Sequence, residues 1–420
     1  MGALVSSKPV MRRSYGRRTP IRARNKCNGL YTGKSNMAAQ GPLLPAIIGY
    51  GLFQLFEDDE EEKLQLYLLQ TELESARKER VKTQGYFEVT IPRYLPDTFQ
   101  RFFRVSRNTF EILCQQLGAC PEMRTRLYRG GREELHSIKK VLLVLRYLAS
   151  QETILEISDK FNVTEYTLLK YRRQVLEAVY NNMMGRIITW PTQNELPDVA
   201  QRFNDMGQYQ FPGVIGAIDG THIPIEAPRE NPQAYFNRKK FHSVILQAVC
   251  KDNLEIIDIN VGWPGRVHDA KVLRNSTVWE DGDRISGYGR FHLIGDGAYP
   301  LKRWLLTPFR DNGHLTAEQK KFNKSLSSKR QVIERSFGLL KGRFRRLKHI
   351  NMIDIKEICN VVCTAVVFHN ICISNGENLE EFMEEDDDLM PPINPLFDQQ
   401  ERNAEGALKR FNMANRLRFL

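Results

Sequence analysis

Gly213-Val-Ile-Gly-Ala-Ile-Asp219-Gly-Thr-His222 is an almost uninterrupted apolar run that ends on a carboxylate. Short, β-branched and followed by a Gly-containing break, it reads as a buried strand whose tip carries Asp219. The chain around it keeps that character. Val214 to Ile225, Ser243 to Cys250 and Glu255 to Val261 read as strands, with Lys251-Asp252-Asn253 turning between the last two, which favours an antiparallel meander. Asp269 to Asn275 then reads as a helix, Phe291 to Ile294 as a short apolar strand, and Thr316 to Lys348 as a long basic helix. The order β-β-β-α-β-α is that of a mixed sheet covered by helices, an α/β class.

Upstream the periodicity changes from strand to helix. Gly185 to Pro197 holds Trp190-Pro191 and Leu196-Pro197, where helical spacing stops, so 186–210 reads as a linker before a domain at 211–375. Residues 46–185 read as all-helical. Phe53 to Arg80 is Leu-rich and charged, and Phe99 to Leu117 has helical spacing with Ser106 as an N-cap. Three helices follow in series at 139–183: Lys139 to Ala149, Ile154 to Phe161 and Glu165 to Tyr180. Only Asn162, Val163 and Thr164 separate the last two, with Asn suited to a left-handed turn and Thr to an N-cap. That is a helix-turn-helix-like unit, in which Thr167, Lys170, Arg173 and Gln174 face outward toward a DNA groove while Leu168, Leu169, Val175, Leu176 and Val179 face inward. An ordinary three-helix core with a solvated face fits the same pattern.

Composition bounds the rest. At 420 residues, 41% hydrophobic and 26% charged, the chain is long and apolar enough for about two folded domains. Its longest nearly apolar run, Leu43 to Phe56, falls short of the roughly 20 residues a membrane span needs, so no membrane segment is expected. Seven scattered cysteines suggest a reducing, intracellular setting. Cys359, Cys363, His369 and Cys372 share one apolar helical run, where their spacing does not converge on a zinc ion.

Asp219 has a counterpart. Asp296 ends Phe291-His-Leu-Ile-Gly-Asp296, again followed by Gly, and a carboxylate among apolar neighbours is costly unless paired or metal-bound. Two such aspartates make a hard-cation site plausible, although each alone also fits a strand-end turn. A third acid, Glu334, sits at the edge of the apolar stripe Ile333, Phe337, Leu340 and Phe344, and read alone it is equally half of a helical salt bridge.

The segments GVIGAIDGTHIPI, AYFNRKKFHSVILQAVC, GWPGRVHDAKVL, LIGDGAYPL, LLTPF and VIERSFGLLKGRFRRL, in this order, resemble the PIF/Harbinger transposases and the Harbinger transposase-derived nuclease. The resemblance runs weakly from Ser106 and strongly from Phe211 to about Ser374. It implies a ribonuclease-H-like mixed sheet flanked by helices and a DDE triad at Asp219, Asp296 and Glu334. It further implies that these acids hold two divalent cations, Mg²⁺ or Mn²⁺, with Asp219 bridging both, for in-line displacement at a DNA phosphodiester. A domesticated, non-catalytic DNA- or chromatin-binding protein that kept the fold is the rival expectation. His222, His268 and Asp269 stand in or beside the shared motifs as groups that orient ligands or phosphate, although Asp269 also fits a helix N-cap and either His a satisfied core residue. Arg335, Lys341, Arg343, Arg345 and Arg346 form a basic run suited to DNA phosphates, or to a solvated helix face.

The termini lie outside the resemblance. The first 40 residues hold nine Lys or Arg and no acid, and Glu377 to Asp388 holds eight acids and no base, so 1–45 reads as a disordered basic head and 376–420 as a flexible acidic tail. Nuclear residence with some cytoplasmic presence is expected, through the head or through the Myb-like DNA-binding partner associated with this family. Met1-Gly2 with Ser6 also fits a weak myristoylation pattern, and the Arg-rich head a mitochondrial address. Oligomerisation is left open.

Overall fold

The computed structural model describes residues 81–124, 134–377, 380–383 and 403–417, together with Gln65. The basic head, nearly all of the helix expected over Phe53 to Arg80, and Glu384 to Asp388 of the acidic run lie outside the described residues. From Thr83 onward the chain forms a single contact unit.

Its centre is a five-stranded mixed sheet in the order β3-β2-β1-β4-β5, as the α/β, ribonuclease-H-like reading requires. The strands are β1 Val214–Pro224, β2 Ser243–Cys250, β3 Ile256–Pro264, β4 His292–Ile294 and β5 Leu305–Leu306. β1, β2 and β3 pair antiparallel, and β4 and β5 run parallel to β1. All eight residues of β2 are buried, which explains why it reads as a mostly apolar run rather than an alternating one, with Ser243 and Gln247 its polar members. β5 has only two residues, too few to leave a periodic signal, and was not expected as a strand.

The helical part forms α1 Pro96–Phe103, α2 Arg107–Gly118, α3 Ser137–Ala149, α4 Ile154–Lys160 and α5 Glu165–Asn182. The single helix expected over Phe99 to Leu117 is two, because Arg104 turns left-handed at φ 62° and Ser106 caps the second by accepting from Thr109 N at 3.1 Å. The expected turn between α4 and α5 forms as read: Asn162 is left-handed at φ 51°, and Thr164 Oγ1 accepts from Thr167 N at 3.1 Å. Leu169, expected in the core, is 37% exposed.

The reading of 186–210 as a linker is corrected. α6, Leu196–Asp205, lies within it and buries Leu196, Val199, Ala200 and Phe203. Pro197 occupies the helix's first turn, where no N–H is needed, so it starts a helix rather than ending one. Trp190 is anchored as well, its Nε1 donating to Asp258 of β3 at 3.0 Å. After β3 come α7 Asp269–Arg274, α8 Thr277–Ile285, α9 Ala317–Arg343, α10 Ile355–Ser374 and α11 Ala404–Arg416.

The flexible-tail reading of 376–420 is corrected in two places. Glu377 is buried in an ion pair with Arg343, and α11 docks through Lys409, whose Nζ donates to the carbonyls of Gly289, Phe291 and Arg303 at 2.8–3.0 Å. α10 is long and apolar enough to cross a membrane by composition, but it is a core helix, 78% buried. Its Asn370 pairs with both the N–H and the carbonyl of Ile256, fixing the start of β3. His369 Nε2 lies 3.1 Å from the Leu254 carbonyl, and burial pushes the thiols of Cys363 and Cys372 up.

Candidate active site

Register brings the two aspartates together. Ala217 of β1 pairs with Ile294 of β4, and Asp219 and Asp296 each stand two residues further on. Asp219 lies within β1 and Asp296 two residues past the end of β4, close enough that Asp296 helps raise the Asp219 carboxyl. Each carboxylate is held by a nearby backbone N–H: Asp219 Oδ1 accepts from Gly220 N at 2.8 Å, and Asp296 Oδ1 from Ala298 N at 2.9 Å.

Glu334 reaches this cluster from α9 through Arg330. The guanidinium donates through Nη1 to Asp219 Oδ2 at 2.6 Å and through Nη2 to Glu334 Oε1, one helical turn away. Glu334 is thus half of a helical salt bridge and also part of the acid cluster. The three side chains stay partly open, at 17%, 18% and 21% exposure for Asp219, Glu334 and Arg330.

Asp269 is a fourth acid rather than a helix cap. It is the first residue of α7, whose N-cap His268 makes no side-chain capping bond. Its carboxylate lies over Gly220: a Cβ built there would come within 2.5 Å of Asp269 Oδ1, so only glycine admits the contact. Gly220 therefore makes room for a protein carboxylate, whereas a Cβ at Gly297 would meet only Pro308, at 4.0 Å.

Crowded acids cannot all ionise cheaply. Burial, reinforced by Asp296, pushes Asp269 up to about 6. Burial raises Asp219, with Arg330 opposing and Asp296 and Asp269 adding to the rise; Asp296 is raised as well, again chiefly by burial. Arg330 opposes the rise at Asp219 and Asp296, and Arg238 opposes it at Asp269. Among the described residues, no group of three or more His, Cys, Asp or Glu is gathered closely enough to hold an ion as placed. The donor set still suits a hard cation, because carboxylate oxygens in excess of local positive charge, open to solvent on one side, are what Mg²⁺ or Mn²⁺ takes.

Strand alternation separates the remaining candidates. Asp219 and Thr221 face α9, where Lys341 Nζ donates to Thr221 Oγ1 at 2.7 Å. His222 points the other way, its Nδ1 3.0 Å from Ser243 Oγ. His268 sits 3.1 Å from Arg238 Nη2, next to Asp269, and burial followed by that cation lowers its pKa.

Part of the basic run is corrected. Arg343 is fully buried, with its guanidinium on Glu377 and the Arg104 carbonyl. Arg346 is buried, donates to the carbonyls of Tyr147 and Glu152 and lies over the Tyr147 ring. Lys341 is buried on Thr221. Lys341 and Arg343 of α9 and Arg346 just beyond it tie this segment to the helices and the sheet, so they cannot meet phosphates, whereas Arg335 and Arg345 are exposed. Lys170 and Arg173 are exposed on α5, Arg173 reaching Glu357 at 3.5 Å.

Arg330, Gln247, Tyr299 and Arg238 were missed as site residues. Gln247 Nε2 donates to the buried Tyr299 hydroxyl at 3.1 Å and to the Asp269 carbonyl at 3.3 Å, forming the floor of the cluster. The only sequence signal for Arg330 was its position four residues before Glu334, a spacing common to many solvated salt bridges.

Residues 218–370 match the family described as DDE superfamily endonuclease, a span that contains Asp219, Asp296 and Glu334. The chain is 27% identical over 294 residues to an ALP1-like protein of Arabidopsis thaliana, covering 66% of this chain and 71% of that protein. It is also 27% identical over 301 residues to the Arabidopsis thaliana protein named Antagonist of Like Heterochromatin Protein 1, covering 67% and 74%. Over 245 residues it is 27% identical to the candidate nuclease HARBI1 of Homo sapiens, covering 56% and 67%. No solved structure matches it.

Proposed function

We propose that this chain, whose resemblance to the PIF/Harbinger transposases rests on the order of its motifs and on its relatives alike, is a divalent-cation-dependent nuclease that cleaves DNA phosphodiesters. The observation that carries the reading is the placement of Asp219 on β1 and of Asp296 just past the end of the neighbouring β4, each two residues beyond a paired position, with Glu334 joined to Asp219 through Arg330. Asp219, Asp296 and Glu334 would hold Mg²⁺ or Mn²⁺, which supplies activation of the attacking water and stabilisation of the leaving oxygen. The chain does the rest. Asp269 adds negative charge beside the metal ligands, and Gln247 and Tyr299 fix the floor on which it rests. The exposed bases Arg238 and Lys240, on the loop next to His268, bind substrate phosphates in place of the buried bases of α9.

The test is cleavage of supercoiled plasmid and end-labelled duplex by purified protein with Mg²⁺, Mn²⁺ or EDTA. Metal-dependent cleavage that EDTA abolishes is expected. The second reading, a non-catalytic DNA or chromatin binder, is favoured by the name of the Antagonist of Like Heterochromatin Protein 1 relative. Duplex binding with no cleavage under either metal would establish it instead.

Nuclear residence belongs to the same proposal, with import by the basic head or by a Myb-like partner. A large fluorescent reporter carrying residues 1–40 becomes nuclear in the first case and stays cytoplasmic in the second, while a mitochondrial signal overturns both.

A further inference from the structure

Arg330 stands where two acids from different elements would otherwise share a cation. Asp219 comes from the middle of β1 and Glu334 from the middle of α9, 115 positions apart in sequence, and one guanidinium bonds both through separate nitrogens. Arg330 is partly exposed rather than part of the buried face, and its charge also acts on Asp296. The fork geometry of arginine lets it span two carboxylates as a point charge cannot. Without it, Asp219 and Glu334 would lose the guanidinium that bonds them both, beside Asp296.

We propose that Arg330 is an internal counter-ion that a divalent cation must displace to load the site, so that it sets metal affinity as a competitor of the metal. This rests on the metal-dependent reading above and deepens it. The bonds Arg330 makes to Asp219 and Glu334 use oxygens a bound cation needs, so the two states exclude each other. Loading therefore includes the cost of breaking both bonds, and apparent affinity is weakened by that competition. When released, the guanidinium remains one helical turn from Glu334 on the open side of the cluster. The metal-free protein is in turn protected from the mutual repulsion of its own acids, and from holding a cation when none is needed.

The test is Mn²⁺ binding to the full chain, with free Mn²⁺ counted by electron paramagnetic resonance, for wild type, Arg330→Gln, Arg330→Lys and Asp219→Asn, alongside thermal melts in EDTA. Arg330→Gln should bind Mn²⁺ about tenfold tighter than wild type, while melting lower in EDTA because its acids have lost their cation. Arg330→Lys, able to reach only one carboxylate at a time, should fall between the two in affinity. A merely structural arginine would give the lower melt without the tighter binding. Equal or weaker Mn²⁺ binding in folded Arg330→Gln overturns the proposal, and if that variant does not fold, wild-type affinity in Arg330→Lys does so. If wild type binds no Mn²⁺, or Asp219→Asn binds it equally well, the metal-dependent reading fails and this inference with it; if only the Arg330 variants behave like wild type, this inference fails alone.

Discussion

Arg343 of α9 and Glu377, 34 residues further on, form an ion pair that is 0% and 3% exposed, between a residue that reads as a DNA contact and one that reads as part of a solvated acidic tail. Glu377 also accepts from Ser106 N at 2.8 Å, the N-cap residue of α2, so the pair joins the helical part, the long helix and the chain beyond α10 at one point. The Phe382 ring covers the same guanidinium.

Breaking this pair from one side should be costly. Glu377→Gln leaves a buried guanidinium with no anion, and a loss of about 3–5 kcal/mol in unfolding free energy is expected. Urea denaturation followed by circular dichroism checks it. A change within about 0.5 kcal/mol would mean that Glu377 is solvated in solution.

The triad makes a separable claim. Asp219→Asn, Asp296→Asn and Glu334→Gln should each lower metal-dependent cleavage by more than about 100-fold, since even groups behind a metal ligand are worth 10- to 100-fold. Their far-ultraviolet spectra should remain those of the wild type. Full cleavage by any one of them removes that residue from the site.

Burial divides the bases into two sets with opposite signatures. Lys170→Ala with Arg173→Ala, or Arg238→Ala with Lys240→Ala, should weaken duplex binding and flatten its dependence on log salt by about two, one for each phosphate left without its base. Arg346→Ala should leave that slope unchanged and lower stability by about 2–4 kcal/mol, because two buried carbonyls lose their donor. Binding titrations at several salt concentrations, beside melts of the same proteins, separate the two sets.

Asp258 gives a pH signature away from the acid cluster. Burial raises its carboxyl from the ordinary 3.8 to about 6, against the hydrogen bonds from Trp190 and Thr277. The folded form therefore holds this proton more tightly than the unfolded chain does. Its contribution is fully present below about pH 3.8 and is lost as pH rises to about 6. Asp258→Asn should remove about one proton's worth of slope between pH 4 and 6, and at pH 7 it should be up to about 3 kcal/mol more stable than wild type. A difference between the two proteins that does not change with pH would show that Asp258 titrates normally.

Several elements were legible because their signals are local. The limits of β2 were readable to the residue, since a strand buried on both faces is a mostly apolar run between polar turns. The α4–α5 turn was readable because Asn162 and Thr164 carry its φ and its cap in their own chemistry. The three acids were locatable because two end apolar runs and the third edges an apolar stripe, and the motif order supplied the family. What stayed hidden depended on partners distant in sequence. The same Lys and Arg types that serve a solvated helix face became buried ties in Lys341, Arg343 and Arg346, because Thr221, Glu377 and the carbonyls of Tyr147 and Glu152 lay waiting to accept. Pro197 read as a stop because a proline's ring marks a break whether it opens a helix or closes one, and only the packing of α6 showed which. Arg330 is the clearest case: its bond to Glu334 follows helical spacing, but its bond to Asp219 exists only because α9 packs against the middle of β1. Sequence determined which residues can carry charge and where the chain turns; the tertiary structure decided which charges meet, because a Coulombic partner is chosen by distance in space.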